Sequence, residues 1–249
     1  MNKDIKNAVI LAAGSGTRLG YLGHLLPKTL FPIYDRPIIH HIIDLLEKTG
    51  IENAFIVVKY HKEKIFEYFK NINSSLKINI DFINQEKLDG TANAIALTKK
   101  YNKNNDFLTI LGDEYFTHKD LNPMFELFYK KDAVAAEAVI EETNIESLRQ
   151  TCCADVENDG RIIEIIEKPK EPKHRYRGCG IYMFKPEIFE YIKNTEEDSF
   201  RKEKDITTVI NNVAKDMKAY AYMLDGFHIN INNYEELYNA TKLIRKYSR

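Results

Sequence analysis

The chain has 249 residues, 44% hydrophobic and 29% charged, with a formal net charge of −1. That is an ordinary globular composition, long enough to bury a sizeable core, and it lacks the basic excess of a nucleic-acid binder. An odd trio of cysteines, Cys152, Cys153 and Cys179, excludes a disulfide framework and points to a reducing, cytoplasmic compartment. Ala8-Val9-Ile10-Leu11 is a continuous apolar run, which predicts a buried strand of a parallel sheet. The run through Ala13 is too short for a secretion signal. No later run reaches ~18 apolar residues, so no membrane partner is expected.

Residues 14–36 hold Gly14, Gly16, Gly20, Gly23, Pro27 and Pro32 and predict a long irregular loop. A loop of that length at the end of a buried strand is usually functional. A helix is predicted from Pro37 to Lys48, stopped by Gly50. Strands are predicted over 54–58, 78–83 and 107–111, and helices over 61–69, 91–99 and 121–129. Alternation of this kind predicts βαβ units in a mainly parallel, doubly wound, Rossmann-like α/β sheet. In such sheets a ligand sits beyond the carboxyl ends of the strands. Gly14, Gln85 and Asp113 all fall just after such ends.

From about Ala133 the pattern changes to strands over 133–140, 153–156, 162–166 and 181–184, with Asn158-Asp159-Gly160 as a hairpin turn. These predict an added antiparallel lobe. Helices are predicted over 186–193, 206–214 and 234–246. His40 and His41 lie in an apolar helix pattern, one expected to pack and the other to face solvent. Glu141 and Glu142 are expected to be solvated.

Leu11-Ala12-Ala13-Gly14-Ser15-Gly16-Thr17-Arg18-Leu19-Gly20 is the most informative segment. Small residues let backbone N–H groups approach a phosphate, but they also suit a plain tight turn. No Gly-Lys-Ser/Thr ending follows, so a P-loop fits poorly. A dinucleotide fingerprint fits poorly, since the third glycine comes one place late and no helix opens directly. Arg18, with fixed paired donors, and Lys28, a mobile point charge, both lie on this loop. Together they favour a triphosphate.

At this point the chain resembles the sugar-phosphate nucleotidyltransferases. The likeness rests on Leu11 to Leu19, on Pro27-Lys28-Thr29-Leu30 and on Pro32. It continues through Gln85, Gly90-Thr91-Ala92, Gly112-Asp113, Glu167-Lys168-Pro169 and Gly180-Ile181-Tyr182. It implies one domain over 1–249, with a nucleotide-binding half to about 130 and a sugar-phosphate-binding half after it. It implies that Gly14 and its neighbours, Leu11 to Thr17, hold base and phosphates, and that Gln85, Gly90 and Thr91 contact the nucleotide. Arg18, Lys28 and Asp113 become the catalytic set, with Asp113 on Mg²⁺. Glu167 is implied to hold sugar hydroxyls and Lys168 the sugar phosphate, with Cys152 and Gly180 in the same sugar-facing segments. The implied reaction condenses a nucleoside triphosphate with a sugar 1-phosphate and releases pyrophosphate.

Two places depart from the family pattern. Asn230 stands where a second metal-binding aspartate is expected, so an amide oxygen replaces a charged ligand. Cys152 stands where related chains often carry glycine. Two other readings stay open: a cytidylyltransferase acting on phosphocholine, an inositol phosphate or a phosphonate, and a non-catalytic relative that binds nucleotide sugars. The oligomeric state, a homo-oligomer included, is also open.

Overall fold

The computed structural model describes residues 5–117, 120–199 and 201–247. In chain order the elements are β1 (Asn7–Ala12), α1 (Gly20–Leu25), β2 (Pro32–Ile33), β3 (Arg36–Pro37), α2 (Ile38–Thr49), β4 (Asn53–Val58), α3 (Lys62–Ile72) and β5 (Asn79–Asn84). There follow α4 (Thr91–Ala96), α5 (Lys99–Asn102), β6 (Phe107–Leu111), β7 (Glu114–Phe116), α6 (Asn122–Lys130), β8 (Ala135–Glu141), α7 (Ile145–Gln150) and β9 (Cys152–Val156). The chain closes with β10 (Ile162–Glu167), β11 (Tyr176–Phe184), α8 (Ile188–Asn194), α9 (Ile206–Lys215), β12 (Ala219–Met223), β13 (His228–Asn230) and α10 (Tyr234–Tyr247). The fold is the expected mixed α/β class with a mainly parallel central sheet.

The chain divides into two compact units that interleave in sequence. The first takes residues 1–88, 110–120 and 226–249, and the second takes 89–109 and 121–225. Strand β6 gives its last two residues to the first unit and the rest to the second.

In the first unit β1, β4 and β5 pair in parallel, in register from Asn7↔Asn53↔Asn79 to Ala12↔Val58↔Asn84. Alanine, valine, isoleucine and leucine dominate β1 and β4, and Ala8, Val9, Ile10, Ile56, Val57 and Val58 are fully buried. Burial on both faces needs such continuous apolar runs. Helix α2 buries Ile38, Ile39, Ile42, Ile43 and Leu46, a stripe at the spacing of one helix face. Each such side chain contributes roughly 1.5–3 kcal/mol by leaving water. The end of β1 is tied to β6 through the Gly112 N–H, which donates to the Leu11 carbonyl at 2.9 Å.

In the second unit β11 pairs antiparallel with both β8 and β9, and β9 with β10. The predicted hairpin turn joins β9 to β10, with the Gly160 N–H donating to Glu157 O at 2.9 Å. Strand β12 adds in parallel to β8, from Ala219↔Ala135 to Met223↔Val139. The expected antiparallel strands are therefore present.

Local expectations were revised in several places. The stretch 14–36 is not continuously irregular, because it contains α1 and the β2–β3 pair. The helix expected over 91–99 divides into α4 and α5, where the Thr98 hydroxyl donates to the Ile95 carbonyl at 2.7 Å and breaks the ladder. Strand β11 starts at Tyr176 rather than near 181, and a bulge between Gly178 and Tyr182 disguises its register. Strands β7, β12 and β13 and helix α7 were not foreseen. Neither histidine of α2 simply faces solvent. His40 Nδ1 bonds the Tyr68 hydroxyl at 2.5 Å, and His41 Nε2 bonds the Ile33 carbonyl at 3.0 Å. Glu142 is not solvated alone but pairs with buried Arg177 at 3.3 Å. Among the described residues no helix is long and apolar enough to cross a membrane.

Candidate active site

The glycine-rich segment leaves β1 at its carboxyl end, in the first unit. Ala12 and Ala13 are buried, and a β-carbon placed on Gly14 would meet nothing within 4 Å. Gly14 is therefore not demanded by the protein's own packing, which leaves its backbone open to a ligand. Gly23 is the opposite case: its β-carbon would lie 2.4 Å from the Gly16 carbonyl oxygen. Gly112 is similar, 2.8 Å from both the Leu11 carbonyl oxygen and Thr29 Cγ2. The loop is thus pinned by close backbone contacts and presents Gly14 outward.

The expected catalytic residues come together. Lys28 Nζ donates to Asp113 Oδ2 at 2.6 Å and to Asn232 Oδ1 at 3.1 Å. Arg18 Nη1 donates to the same Asn232 oxygen at 2.9 Å. Arg18 and Lys28 meet through Asn232 rather than through Asp113 alone. Gln85 follows β5 and is buried at 4% exposure, with its N–H donating to the Val58 carbonyl at 2.9 Å.

Asn230 lies on β13, which pairs antiparallel with β7 so that Asn230 faces Glu114 in register. Its amide nitrogen donates to Glu114 Oε1 at 2.5 Å, and its Oδ1 accepts from Asn232. Glu114 Oε2 meets His228 Nε2 at 2.7 Å, and His228 stacks on Phe116 with ring centroids 5.2 Å apart. Because Glu114 can only accept when ionised, it fixes which end of the Asn230 amide is oxygen. The segment is anchored further by Tyr234, whose hydroxyl donates to the Leu19 carbonyl at 2.6 Å. Asn233 and Glu236 cap α10 reciprocally: the Glu236 N–H donates to Asn233 Oδ1 at 2.9 Å, and the Asn233 N–H to Glu236 Oε2 at 3.1 Å.

The remaining expected residues lie in the second unit. Gly90 has φ +106°, and Thr91 Oγ1 accepts from the Ile206 N–H at 2.9 Å. Both therefore serve the start of α9, whatever else they contact. Glu167 ends β10, accepting from Thr207 Oγ1 at 3.0 Å and pairing with Lys168 at 3.3 Å. Lys168 has φ +45°, a left-handed conformation costing a β-carbon residue about 1–2 kcal/mol, and it directly precedes Pro169. Strain of this kind often marks a functional position. Cys152 is buried, with its thiol donating to Glu137 Oε1 at 3.8 Å, and burial pushes that thiol well above its usual value. Gly180 is buried within the β11 bulge.

The nucleotidyl transferase family model matches residues 7–246. The chain belongs to the nucleotidyl transferase family. It is 36% identical over 238 residues to the bifunctional protein GlmU of Methanocaldococcus jannaschii, covering 96% of this chain and 54% of that one. It is 28% identical to the UTP–glucose-1-phosphate uridylyltransferase of Staphylococcus haemolyticus, covering 90% and 86%. A solved UDP-glucose pyrophosphorylase complexed with UDP-glucose aligns with a TM-score of 0.87 at 25% identity, over 98% of this chain and all of that one. The chain spans about half the length of the first curated relatives it matches.

Four residues escaped sequence reasoning as site candidates: Glu114, Glu137, His228 and Asn232. Glu114 was legible as the second acid of an Asp-Glu pair at a strand end, and Glu137 as the lone acid in the apolar run Ala133–Ile140. Asn232 was legible only as a turn former.

Proposed function

We propose that the chain condenses a nucleoside triphosphate with a sugar 1-phosphate, using Mg²⁺, to give an NDP-sugar and pyrophosphate. The observation that carries this reading is the Arg18–Asn232–Lys28–Asp113 cluster beside the outward-facing Gly14 backbone. A phosphate oxygen of the acceptor attacks the α-phosphorus in line. The bond to the β-phosphate breaks, and pyrophosphate leaves. A phosphate monoester is already largely dianionic at neutral pH, with a second pKa near ~6, so no general base is needed. Catalysis is then positioning and electrostatic stabilisation.

In this reading Leu11 to Thr17 hold base and phosphates, with Gln85, Gly90 and Thr91 on the nucleotide. Arg18 and Lys28 stabilise the charge spreading over the α-phosphate oxygens. On the acceptor side, Lys168 takes the phosphate, and Glu167, Cys152 and Gly180 border the sugar. Asp113 and Asn230 offer oxygen donors only, which suits Mg²⁺, an ion that commonly takes one or two protein oxygens and completes its shell with phosphates and water. Mg²⁺, when bound, supplies charge neutralisation at the triphosphate. The experiment that tests the whole reading is pyrophosphate release with a panel of triphosphates and sugar 1-phosphates. Silence across the panel would sink it.

Lys168→Ala is expected to raise the apparent KM for the sugar phosphate by about ten-fold or more, with a much smaller change for the nucleotide. Steady-state kinetics with each substrate varied in turn measure this, and the reverse pattern would exchange the roles of the two substrate sides.

Asn230→Asp puts a second carboxylate against Glu114 Oε1, which the wild-type amide contacts at 2.5 Å. Without metal the like charges repel. With metal the new carboxylate gains a cation. Calorimetric Mg²⁺ titration is expected to show several-fold tighter binding, and Mg²⁺ is expected to raise the melting temperature more than in wild type. Identical metal dependence in both proteins would remove Asn230 from the donor set.

A further inference from the structure

The second unit buries a carboxyl group that the mechanism above does not use. Glu137 sits in the middle of β8, the single acid between Ala133 and Ile140, and is 1% exposed. One carboxyl oxygen, Oε1, accepts a weak bond from the Cys152 thiol at 3.8 Å. The other, Oε2, has no hydrogen-bond partner among the described residues. Buried polar atoms in folded proteins are nearly always paired, so an orphaned carboxyl oxygen calls for an explanation. Among the described residues no ion pair reaches Glu137: Arg177 pairs with Glu142 at 3.3 Å and Lys168 with Glu167 at 3.3 Å.

The surroundings make room for this group. A β-carbon on Gly178 would lie 2.1 Å from Glu137 Oε1 and 2.5 Å from Cys152 Sγ. Glycine at 178 is thus the condition for a carboxyl at 137 and a thiol at 152. The pKa of Glu137 is pushed up to about 8, first by burial and then by the negative charge of Glu167; the Cys152 thiol opposes the shift. Glu137 therefore stands close to both Cys152 and Glu167, two residues assigned above to the acceptor. Once Lys168 turns to an acceptor phosphate, Glu167 loses its cation and keeps the Thr207 hydroxyl, so two neighbouring carboxyl groups are left without a positive partner. An unpaired buried charge is expensive, and a ligand that supplies the missing positive charge relieves it.

We propose that Glu137 is a specificity-determining residue that reads an ammonium group on the acceptor phosphate, so that this unit selects an amine-bearing phosphate monoester over its hydroxyl counterpart. The inference rests on the nucleotidyl-transfer reading for the identity of the acceptor side. The ammonium donates to Glu137 Oε2 and restores the ionised carboxylate.

The test uses the full chain, with aminodeoxyhexose 1-phosphates bearing the amine at C2, C3, C4 or C6, and with phosphoethanolamine, each against glucose 1-phosphate. At least one amine-bearing acceptor is expected to exceed glucose 1-phosphate by about ten-fold or more in kcat/KM, the scale on which an unpaired buried polar group discriminates. Glu137→Gln keeps the shape and removes the ionisable oxygen, and it is expected to bring that ratio close to one. Gly178→Ala, which displaces the carboxyl, is expected to lower the same ratio and serves if the glutamine variant fails to fold. Equal use of glucose 1-phosphate by wild type, or a ratio untouched by both substitutions, overturns the proposal. Preference for phosphoethanolamine keeps the role of Glu137 and overturns the sugar. If no acceptor releases pyrophosphate, nucleotidyl transfer itself fails. Ligand-induced melting shifts then decide Glu137: greater stabilisation by the amine-bearing ligands supports it, and equal stabilisation overturns it.

Discussion

Asp113→Ala is expected to lower pyrophosphate release by about a hundred- to a thousand-fold while the chain still folds, the range for removing one preorganised electrostatic group from an active site. Two losses combine. Lys28 Nζ loses its 2.6 Å carboxylate partner and keeps only Asn232, so its direction toward the triphosphate is no longer fixed. The proposed metal also loses its only charged protein donor. The fold tolerates the change because Asp113 holds β13 through its backbone: its carbonyl accepts from the Ile231 N–H at 2.8 Å, and alanine keeps that bond. The lost ion pair is partly solvated, with side-chain exposures of 14% and 29%, so its contribution to stability is about 1 kcal/mol or less. Pyrophosphate release and thermal unfolding, measured on the same preparation, check both halves. Retention of more than about a tenth of wild-type turnover would remove Asp113 from the mechanism.

Gly90→Ala is expected to act on the fold more than on the chemistry. A β-carbon there would lie 2.3 Å from the Lys204 carbonyl oxygen and 2.5 Å from its backbone nitrogen. Neither atom is the movable tip of a side chain. The backbone at 90 also stands at φ +106°, which alanine adopts only at a cost of about 1–2 kcal/mol. Relieving the clash separates two backbone bonds, Ala92 N–H to Lys204 O at 2.9 Å and Lys204 N–H to Asp89 O at 2.8 Å. At about 1 kcal/mol each, the total loss is about 3–4 kcal/mol, or roughly 10 °C in Tm for a chain of this size. Thermal unfolding by circular dichroism measures it. An unchanged Tm with a raised nucleotide KM would assign Gly90 to the ligand alone.

Much of the first unit was legible because its signals are local. A buried apolar strand, two glycines without bulk, one arginine and one lysine on the same loop all lie within residues 8–28. The parallel strands declared themselves as apolar runs, and Gly14, Gln85 and Asp113 fell at their ends as expected. What escaped depends on distant partners. Asn232 looks like a turn residue until the chain brings it against Arg18, 214 positions away. Glu114 reads as a second acid after Asp113 until Asn230 and His228 close on it. The β11 strand was cut short because Arg177 and Gly178 break the apolar run, and both residues answer to acids on or just after β8. Periodicity reports which face is apolar, not which polar groups will meet.

The bonds from Asn232 to Arg18 and Lys28 have a bearing on how the protein comes into being. The glycine loop is translated first, but the amide that gathers its two cations lies between β13 and α10, 214 positions after Arg18 and 204 after Lys28. Chains emerge from the ribosome at about 5–20 residues per second and fold as segments become available. A nascent chain therefore carries its glycine loop for many seconds before the strap that meets it arrives. Until then β7 is without β13, its only ladder partner among the described residues, and Glu114 has neither His228 nor Asn230 beside it. Completion of the proposed phosphate site thus waits until Asn232 has been made, so a ribosome stalled before that point holds a chain whose Arg18 and Lys28 are not yet gathered.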